Sequence, residues 1–300
     1  MNIHLDNVDF FSNSGPNSFA QKFAKYGKLN GCSFNLEREP DACLSFIETH
    51  RSFSDCPLYQ RLDGIYFNTR QDYQLLNSNI RRTYEMATGV IFQSQFNYDL
   101  ITRYFGPHGN HRVIHNGADL EKIKSIRPLQ NSVIDGYENV WTCASHWRPH
   151  KRLDDNIRYF LQHSGQNDCL VVAGASSYPN AHERVFFVGD LPHEALIALY
   201  KRSKYFVHLA WLDHCPNVVV DARASGCRIV CSTAGGTKEI AGDDAVLIEE
   251  PEWDFQPLDL YSPPSLDLGR KVKNHFDSEL DMNKVFLKYK RFMLNEDLPS

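Results

Sequence analysis

The feature that most constrains this chain is the succession of segments between Tyr205 and Glu239. YFVHLAW (Tyr205 to Trp211) is short, apolar and rich in aromatic and branched residues, as a buried strand requires. Pro216 suits the first position of a helix that Gly226 closes, and the VVVDARAS between them has so little polar surface that this helix is expected to be buried nearly all round. CRIVCST follows as a further strand, and AGGT (Ala234 to Thr237) as a glycine loop that opens a second helix at Lys238. Strand, helix and strand in this order build a parallel sheet with crossover helices.

Asp221 is out of place on such a helix. A buried carboxylate is costly unless something satisfies it, and Asp213, at the mouth of the preceding loop, supplies a second one. In an open parallel sheet ligands bind outside the carboxyl ends of the strands, where helix amino ends offer unpaired N–H groups and partial positive charge to a phosphate. The expected pocket combines Asp213 and Asp221 for hydroxyl groups with two helix ends for phosphate, one at Asn217 and Val218, the other at Gly235 and Gly236. The competing expectation is structural, with Asp221 paired to Arg223, Arg228 or Lys238.

Composition excludes several alternatives. With 300 residues and 42% hydrophobic content the chain can bury a sizeable core, and its length suits two α/β domains. A net charge of -5 and a pI near 6.2 argue against nucleic acid as a partner. No apolar run approaches the roughly 20 residues of a spanning helix, and MNIHLDNVDFF has no signal-peptide pattern, so a soluble cytoplasmic or at most peripheral protein is expected. Eight cysteines without a C-x-x-C pair are expected to be buried thiols in a reducing compartment. His108, His111 and His115, or His146 and His150, are the best histidine groups for a metal, but none has an acid or cysteine at ligand spacing, and no metal is expected.

Along the chain, NIHLDN is expected as the first strand, SNSGPNS (Ser12 to Ser18) as a loop, and SFAQKFAKYGKL as a helix capped by Asn17 or Ser18 and ended at Gly31. Gly15 in that loop is a candidate phosphate contact, beside a Pro16 that has no N–H to offer. ACLSFIE and LYQRLDGIYFN (Leu58 to Asn68) are further strands, and NSNIRRTYEMA (Asn77 to Ala87) is a helix. GVIFQS is a strand, QFNYDLITRYF a helix, and HRVIHNGADL a strand running into a turn that Asn116 fixes by side-chain bonds to the backbone. Asp63 ends the third strand, either to orient a hydroxyl and assist proton transfer or to form an Asp-Gly turn, and His50 is a weaker candidate of the same kind. Periodicity fades from Lys122 to Asn139, which places a linker between a first domain over residues 1–125 and a second over 138–279. Arg148 and Lys151 then set two cations between a strand end and a helix amino end, where the helix dipole opposes them. An anion is expected there, either a phosphate or the carboxylate of Asp154 or Asp155.

The Asp213 and Asp221 spacing, with the small-residue helix, strand and Gly235-Gly236 that follow, resembles the nucleotide-sugar site of the retaining GT-B glycosyltransferases of family GT4. That family carries Glu at both acid positions, where this chain has Asp. Ser145, Arg148 and Lys151 match its S-x-x-R-x-x-K segment, and VIHNGAD its last first-domain strand. The resemblance implies an α/β protein of two Rossmann-like, doubly wound parallel-sheet domains facing a cleft, the first acceptor-side and abbreviated, with a final helix in 280–300 packed back on it. It implies metal-independent, retaining transfer of a hexosyl or related group from a nucleotide sugar to a hydroxyl of a glycan, lipid or other acceptor, with no cofactor beyond that donor. Arg148, Lys151 and Ser145 would then hold the diphosphate, Asp221 the ribose and Asp213 the sugar. Gly189 and Leu191 would meet the base, Gly15 the donor phosphate or the acceptor, and Asp63 the acceptor. Other activities on the same fold are a nucleotide-sugar epimerase, a phosphorylase, or a sugar-nucleotide-binding protein with weak catalysis.

Overall fold

The computed structural model describes residues 1–12, 14–35, 37–53, 55–176 and 182–296. It divides into two compact units, one of Met1–Asp119, Asp254–Leu258 and Glu279–Ser300, the other of Leu120–Trp253 and Asp259–Ser278.

The first unit contains β1 (Ile3–Asp6), α1 (Gly15–Leu29), β2 (Ala42–Phe46), β3 (Leu58–Leu62), α2 (Tyr73–Met86), β4 (Gly89–Phe92), α3 (Gln95–Phe105) and β5 (His111–Val113). Its strands form a parallel sheet in the order β1-β2-β3-β4-β5. Every residue of β2, β3 and β4 is buried, as expected for strands covered on both faces. Two helix starts differ from expectation. α1 begins at Gly15 behind Ser14, because Pro16 is pre-set for a first helical turn, so Gly15 is a helical residue and not part of a loop. α2 begins a turn before Asn77, where the Asp72 side chain accepts from the Leu75 amide at 3.0 Å.

The second unit contains α4 (Leu120–Ser125), β6 (Asn139–Ala144), a 3-10 turn (Pro149–Lys151), α5 (Leu153–His163), β7 (Asp168–Ala173), β8 (Val185–Gly189) and α6 (His193–Arg202). It continues with β9 (Tyr205–His208), α7 (Asn217–Ala224), β10 (Arg228–Ser232), α8 (Thr237–Ile240), β11 (Val246–Ile248) and β12 (Lys271–Lys273). The sheet order is β12-β11-β10-β9-β6-β7-β8, parallel except for β12. From β6 the chain builds outward through β7 and β8, then returns to the other side of β6 with β9, β10 and β11. The order therefore reverses between β6 and β9, and that is where an open parallel sheet opens a crevice for ligands.

The stretch from Lys122 to Asn139 is not a linker between the units but part of the second. It holds the end of α4, the Leu129 amide donates to the Ala198 carbonyl at 2.8 Å, and buried Ile134 packs with Val140, Val171 and Leu199. A few apolar anchors suffice here, and the polar residues around them conceal the packing. β9 stops at His208, three residues before Trp211, because the next backbone donors go elsewhere: Leu209 to Asn156 Oδ1 at 3.0 Å and Trp211 to the His150 carbonyl at 2.7 Å.

The first unit is completed by α9 (Met282–Met293). Phe23 of α1 meets Phe286 and Tyr289 edge-on, with ring centres 4.9 and 5.3 Å apart, and the Tyr59 hydroxyl donates to the Met293 carbonyl at 3.0 Å. Burying each such ring contributes about 1.5–3 kcal/mol. A side chain at Gly117 would place its Cβ 2.8 Å from the Met282 backbone, so glycine is what lets α9 begin there. Residues 254–258 form a short strap on the same unit, with the Thr69 amide donating to the Leu258 carbonyl at 2.9 Å.

Candidate functional site

The loops after β6, β9 and β10 leave the same edge of the second sheet on adjacent strands. The 3-10 turn after β6 presents Lys151, whose Nζ lies 2.5 Å from Asp213 Oδ2. Nε2 of His208, the last residue of β9, lies 2.9 Å from the same oxygen. The other carboxylate oxygen accepts from the His214 amide at 3.1 Å, and the Asp213 carbonyl accepts from the Gly236 amide at 2.8 Å. Lys151 and Asp213 keep 18% and 15% of their side chains exposed, against 4% for His208, so a ligand can reach the ion pair but not the imidazole. Lys151 thus pairs with Asp213, not with Asp154 or Asp155.

The electrostatics follow from this packing. Burial alone would raise the Asp213 carboxyl, but the Lys151 ammonium and the His208 donor outweigh it and hold it well below the usual range. Burial lowers His208, with Asp213 pulling it up and Lys151 pushing it down. His150 and His214 are both lowered to about 4, first by burial and then by Lys151, with Asp213 opposing. All three imidazoles are therefore neutral near pH 7.

Arg148 is exposed and makes no ion pair among the described residues. Ser145, half-buried, makes a long 3.4 Å contact with the His146 carbonyl. Sequence reasoning missed Arg152, which has a left-handed backbone and caps α5. Its guanidinium is 1% exposed and grips Glu250 with two bonds of 2.7 and 2.8 Å, adding the Pro264 carbonyl at 2.9 Å. Nothing in the local sequence separates it from Lys151, because its partner lies 98 residues away.

Asp221 is 7% exposed, and His193 Nε2, on the first residue of α6, lies 3.2 Å from its Oδ2. The cations expected as its partners are engaged elsewhere: Arg223 with Asp277 and Ser278, Arg228 with the Asp244 carbonyl at 2.7 Å, Lys238 with the Thr233 carbonyl at 3.0 Å. His193 was also missed, although it stands two residues after Leu191 in the turn singled out for the base. Gly189 accepts from the Gly174 amide at 2.7 Å, and Leu191 packs against the Ile134 cluster.

Pro216 is the cap of α7 and not its first helical residue, which is Asn217; Asn217 and Val218 are half-buried. α7 is covered round most of its circumference, as expected: the four successive residues Val219, Val220, Asp221 and Ala222 are buried and the other four half-buried. Gly235 has φ +82°, and a Cβ there would lie 2.5 Å from the Asp213 carbonyl oxygen. Glycine is thus required at 235 by close packing on the Asp213 loop, whereas Gly236 has an ordinary helical backbone and caps α8. α8 opens at Thr237, one residue earlier than expected and for a single turn, and the buried Thr237 hydroxyl has no partner among the described residues.

In the first unit, Gly15 is exposed at the start of α1. Asp63 does not simply shape a turn: its Oδ1 accepts from Arg61 and, at 2.5 Å, from Gln93. Arg61 also donates to Asn116 Oδ1 at 2.8 Å, and Asn116 donates to Gln93 Oε1 at 3.0 Å, closing a ring of four side chains. Asn116 thus bonds other side chains as well as bordering the turn assigned to it. Arg61 is 1% exposed, with its guanidinium 4.0 Å over the Phe19 ring. His50 is exposed, 3.9 Å from Glu48. The His108 ring bonds the Asn110 carbonyl at 2.7 Å, and the His111 ring bonds the His108 carbonyl at 2.8 Å and stacks on Tyr98.

Residues 129–256, which include every second-unit site residue named above, match the family model described as glycosyl transferases group 1. No curated protein matches the sequence. Among solved structures, HepE of Anabaena in complex with UDP is 13% identical with a TM-score of 0.66, the match covering 98% of this chain and 100% of that one. WaaG, a glycosyltransferase involved in lipopolysaccharide biosynthesis, is 11% identical with a TM-score of 0.63, over 98% of this chain and 92% of that one. Sucrose-phosphate synthase of Thermosynechococcus elongatus is 16% identical with a TM-score of 0.57, over 78% of this chain but only 65% of its own, so this chain spans just under two thirds of it. The chain thus shares the GT-B architecture of these glycosyltransferases, and its residues 129–256 match the glycosyl transferases group 1 family.

Proposed function

We propose that this chain transfers a sugar from a nucleoside-diphosphate sugar to an acceptor hydroxyl, with retention of anomeric configuration and without a divalent metal. The observation that carries this is the meeting of Lys151 and Asp213 at the strand-order reversal of the second sheet, with Arg148, exposed and without an ion pair among the described residues, at the start of the same 3-10 turn. As the bond between sugar and diphosphate breaks, negative charge grows on the leaving group. Lys151, held in place by Asp213, and Arg148, free to turn toward it, stabilise that charge more in the transition state than in the ground state, the task a metal performs in other sites. Asp221, oriented by His193, takes the ribose hydroxyls, and Leu191 borders the base. Asp213, one methylene shorter than the family's Glu, acts chiefly by setting the position and charge of Lys151.

The acceptor is a glycan or lipid-linked hydroxyl, and it attacks on the face the diphosphate leaves. HepE structures hold UDP and UDP-glucose, which supports a uridine donor as the first choice. No described helix is long and apolar enough to cross a membrane. Work in the cytoplasm, on a soluble or membrane-surface acceptor, fits that.

Thermal stabilisation by UDP, GDP and ADP in the presence of EDTA tests the donor site on wild type and Lys151→Ala. A nucleotide at a hundred times its Kd adds about 2.7 kcal/mol, a readily measured shift. The expected result is a shift with one nucleotide, unaffected by EDTA and lost in the variant. No shift with any of the three sinks the donor site. Proton NMR of the anomeric centre in the product then decides retention.

A further inference from the structure

Lys151 and His208 share one oxygen of Asp213, at 2.5 and 2.9 Å, and that sharing has a consequence for binding. In the free protein the carboxylate is balanced by the ammonium, while the buried imidazole donates Nε2–H and carries no charge. A diphosphate brings negative charge to the exposed side of Lys151. As the ammonium turns to it, a carboxylate with 15% of its surface in water loses its counter-ion, an arrangement that buried groups do not tolerate without replacement.

We propose that donor binding is coupled to uptake of one proton by His208, which replaces Lys151 as the counter-ion of Asp213. This rests on the diphosphate-site reading above. The proton comes from solvent and adds to the second ring nitrogen, so that imidazolium and carboxylate remain hydrogen-bonded through Nε2–H. Nothing else is made or broken. His208 makes the site a proton-linked one, and its role is positioning: it touches Asp213 and not the substrate.

The groups facing this cluster favour the same outcome. His208 is packed against Asp213, Lys151 and the Phe206 ring, with His150 within electrostatic range. Asp213 is faced in addition by His214. Lys151 is one of the groups that keep His208 neutral, and its charge is cancelled when a diphosphate sits on it. Removing that repulsion while leaving Asp213 in place raises the imidazole's affinity for a proton. By linkage, a site that gains a proton on binding loses affinity as pH rises, by up to tenfold per pH unit.

The test is calorimetry of UDP binding, and of GDP and ADP, between pH 7 and 8.5 in buffers of differing ionisation enthalpy. Wild type is compared with His208→Gln, which keeps a side-chain N–H donor for Asp213 but cannot ionise. The nucleotide's own phosphate titration is common to both and cancels in the difference. Wild type is expected to take up about one proton more than the variant, and its Kd to rise with pH while that of the variant stays flat. His208→Asn, checked for a native melting transition, serves if the Gln variant does not fold. Equal uptake in wild type and variant, or none in either, overturns the proposal and leaves the donor site standing. Failure of every nucleotide to bind overturns both.

Discussion

Each unit gathers polar side chains at the ends of its central strands, and the two gatherings are built on opposite principles. In the first, Arg61, Asp63, Gln93 and Asn116 bond one another in a ring, and the single cation is sealed at 1% exposure. In the second, Lys151 and His208 share the Asp213 carboxylate in reach of solvent, and the Arg148 side chain stands by with no ion pair among the described residues. The contrast repeats inside the second unit between neighbours in sequence: Arg152 is sealed at 1% exposure against Glu250, and Lys151 keeps 18% of its side chain exposed. A closed network spends its charges on the fold, whereas an open one keeps charge available for a ligand. Sheet topology accords with this, since the second sheet reverses its strand order at the open cluster and the described part of the first sheet does not reverse at all.

The largest effect is expected where the closed network is broken. Asp63→Asn leaves the Arg61 guanidinium buried without a carboxylate, which costs about 3–5 kcal/mol, read by urea denaturation. Unchanged stability with collapsed sugar transfer would instead place Asp63 at the chemistry. Acid should separate the clusters next. His150 and His214 have folded-state values of about 4, below the ordinary 6.5, so the unfolded chain binds more protons. The stability they contribute is complete above the ordinary value and is lost as pH falls toward 4. At pH 5 the loss is about 2 kcal/mol for each. Melting temperature against pH checks this, and His214→Gln should flatten the curve.

Smaller effects concern the ligand. Lys151→Ala should weaken nucleotide binding by about 1.5–3 kcal/mol, the worth of a hydrogen bond to a charged group, measured by calorimetry. Arg148→Ala sharpens the contrast most gently. Stability should stay within about 0.5 kcal/mol of wild type, while nucleotide affinity falls; a loss of stability alone would make Arg148 part of the fold.

Strands were legible because their apolar runs are short and bounded, and the order of site motifs because each lies at a strand end. What escaped the sequence depends on distance along the chain. Lys151 and Asp213 are 62 residues apart and Arg152 and Glu250 98, so no local pattern distinguishes which cation meets which acid. Asp221 offered three plausible cations nearby and took a histidine from another helix. Residues 122–139 read as a linker because Leu129, Ile134 and Tyr137 are too few to set a period, although they suffice to pack. Helix starts moved where a single residue decides, as at Pro16 and Asp72.

The assignment of α9 to the first unit also bears on how this chain is made. A ribosome delivers β1 through β5 first, but Phe286 and Tyr289, both fully buried against Phe23, emerge only after the whole second unit. Until then the first unit has its sheet against α1 but lacks the rings that cover Phe23, while the second has all its strands and can close. The unit that is begun first is thus the last to be completed, and a chaperone that shields nascent α1 would cover Phe23 until α9 emerges.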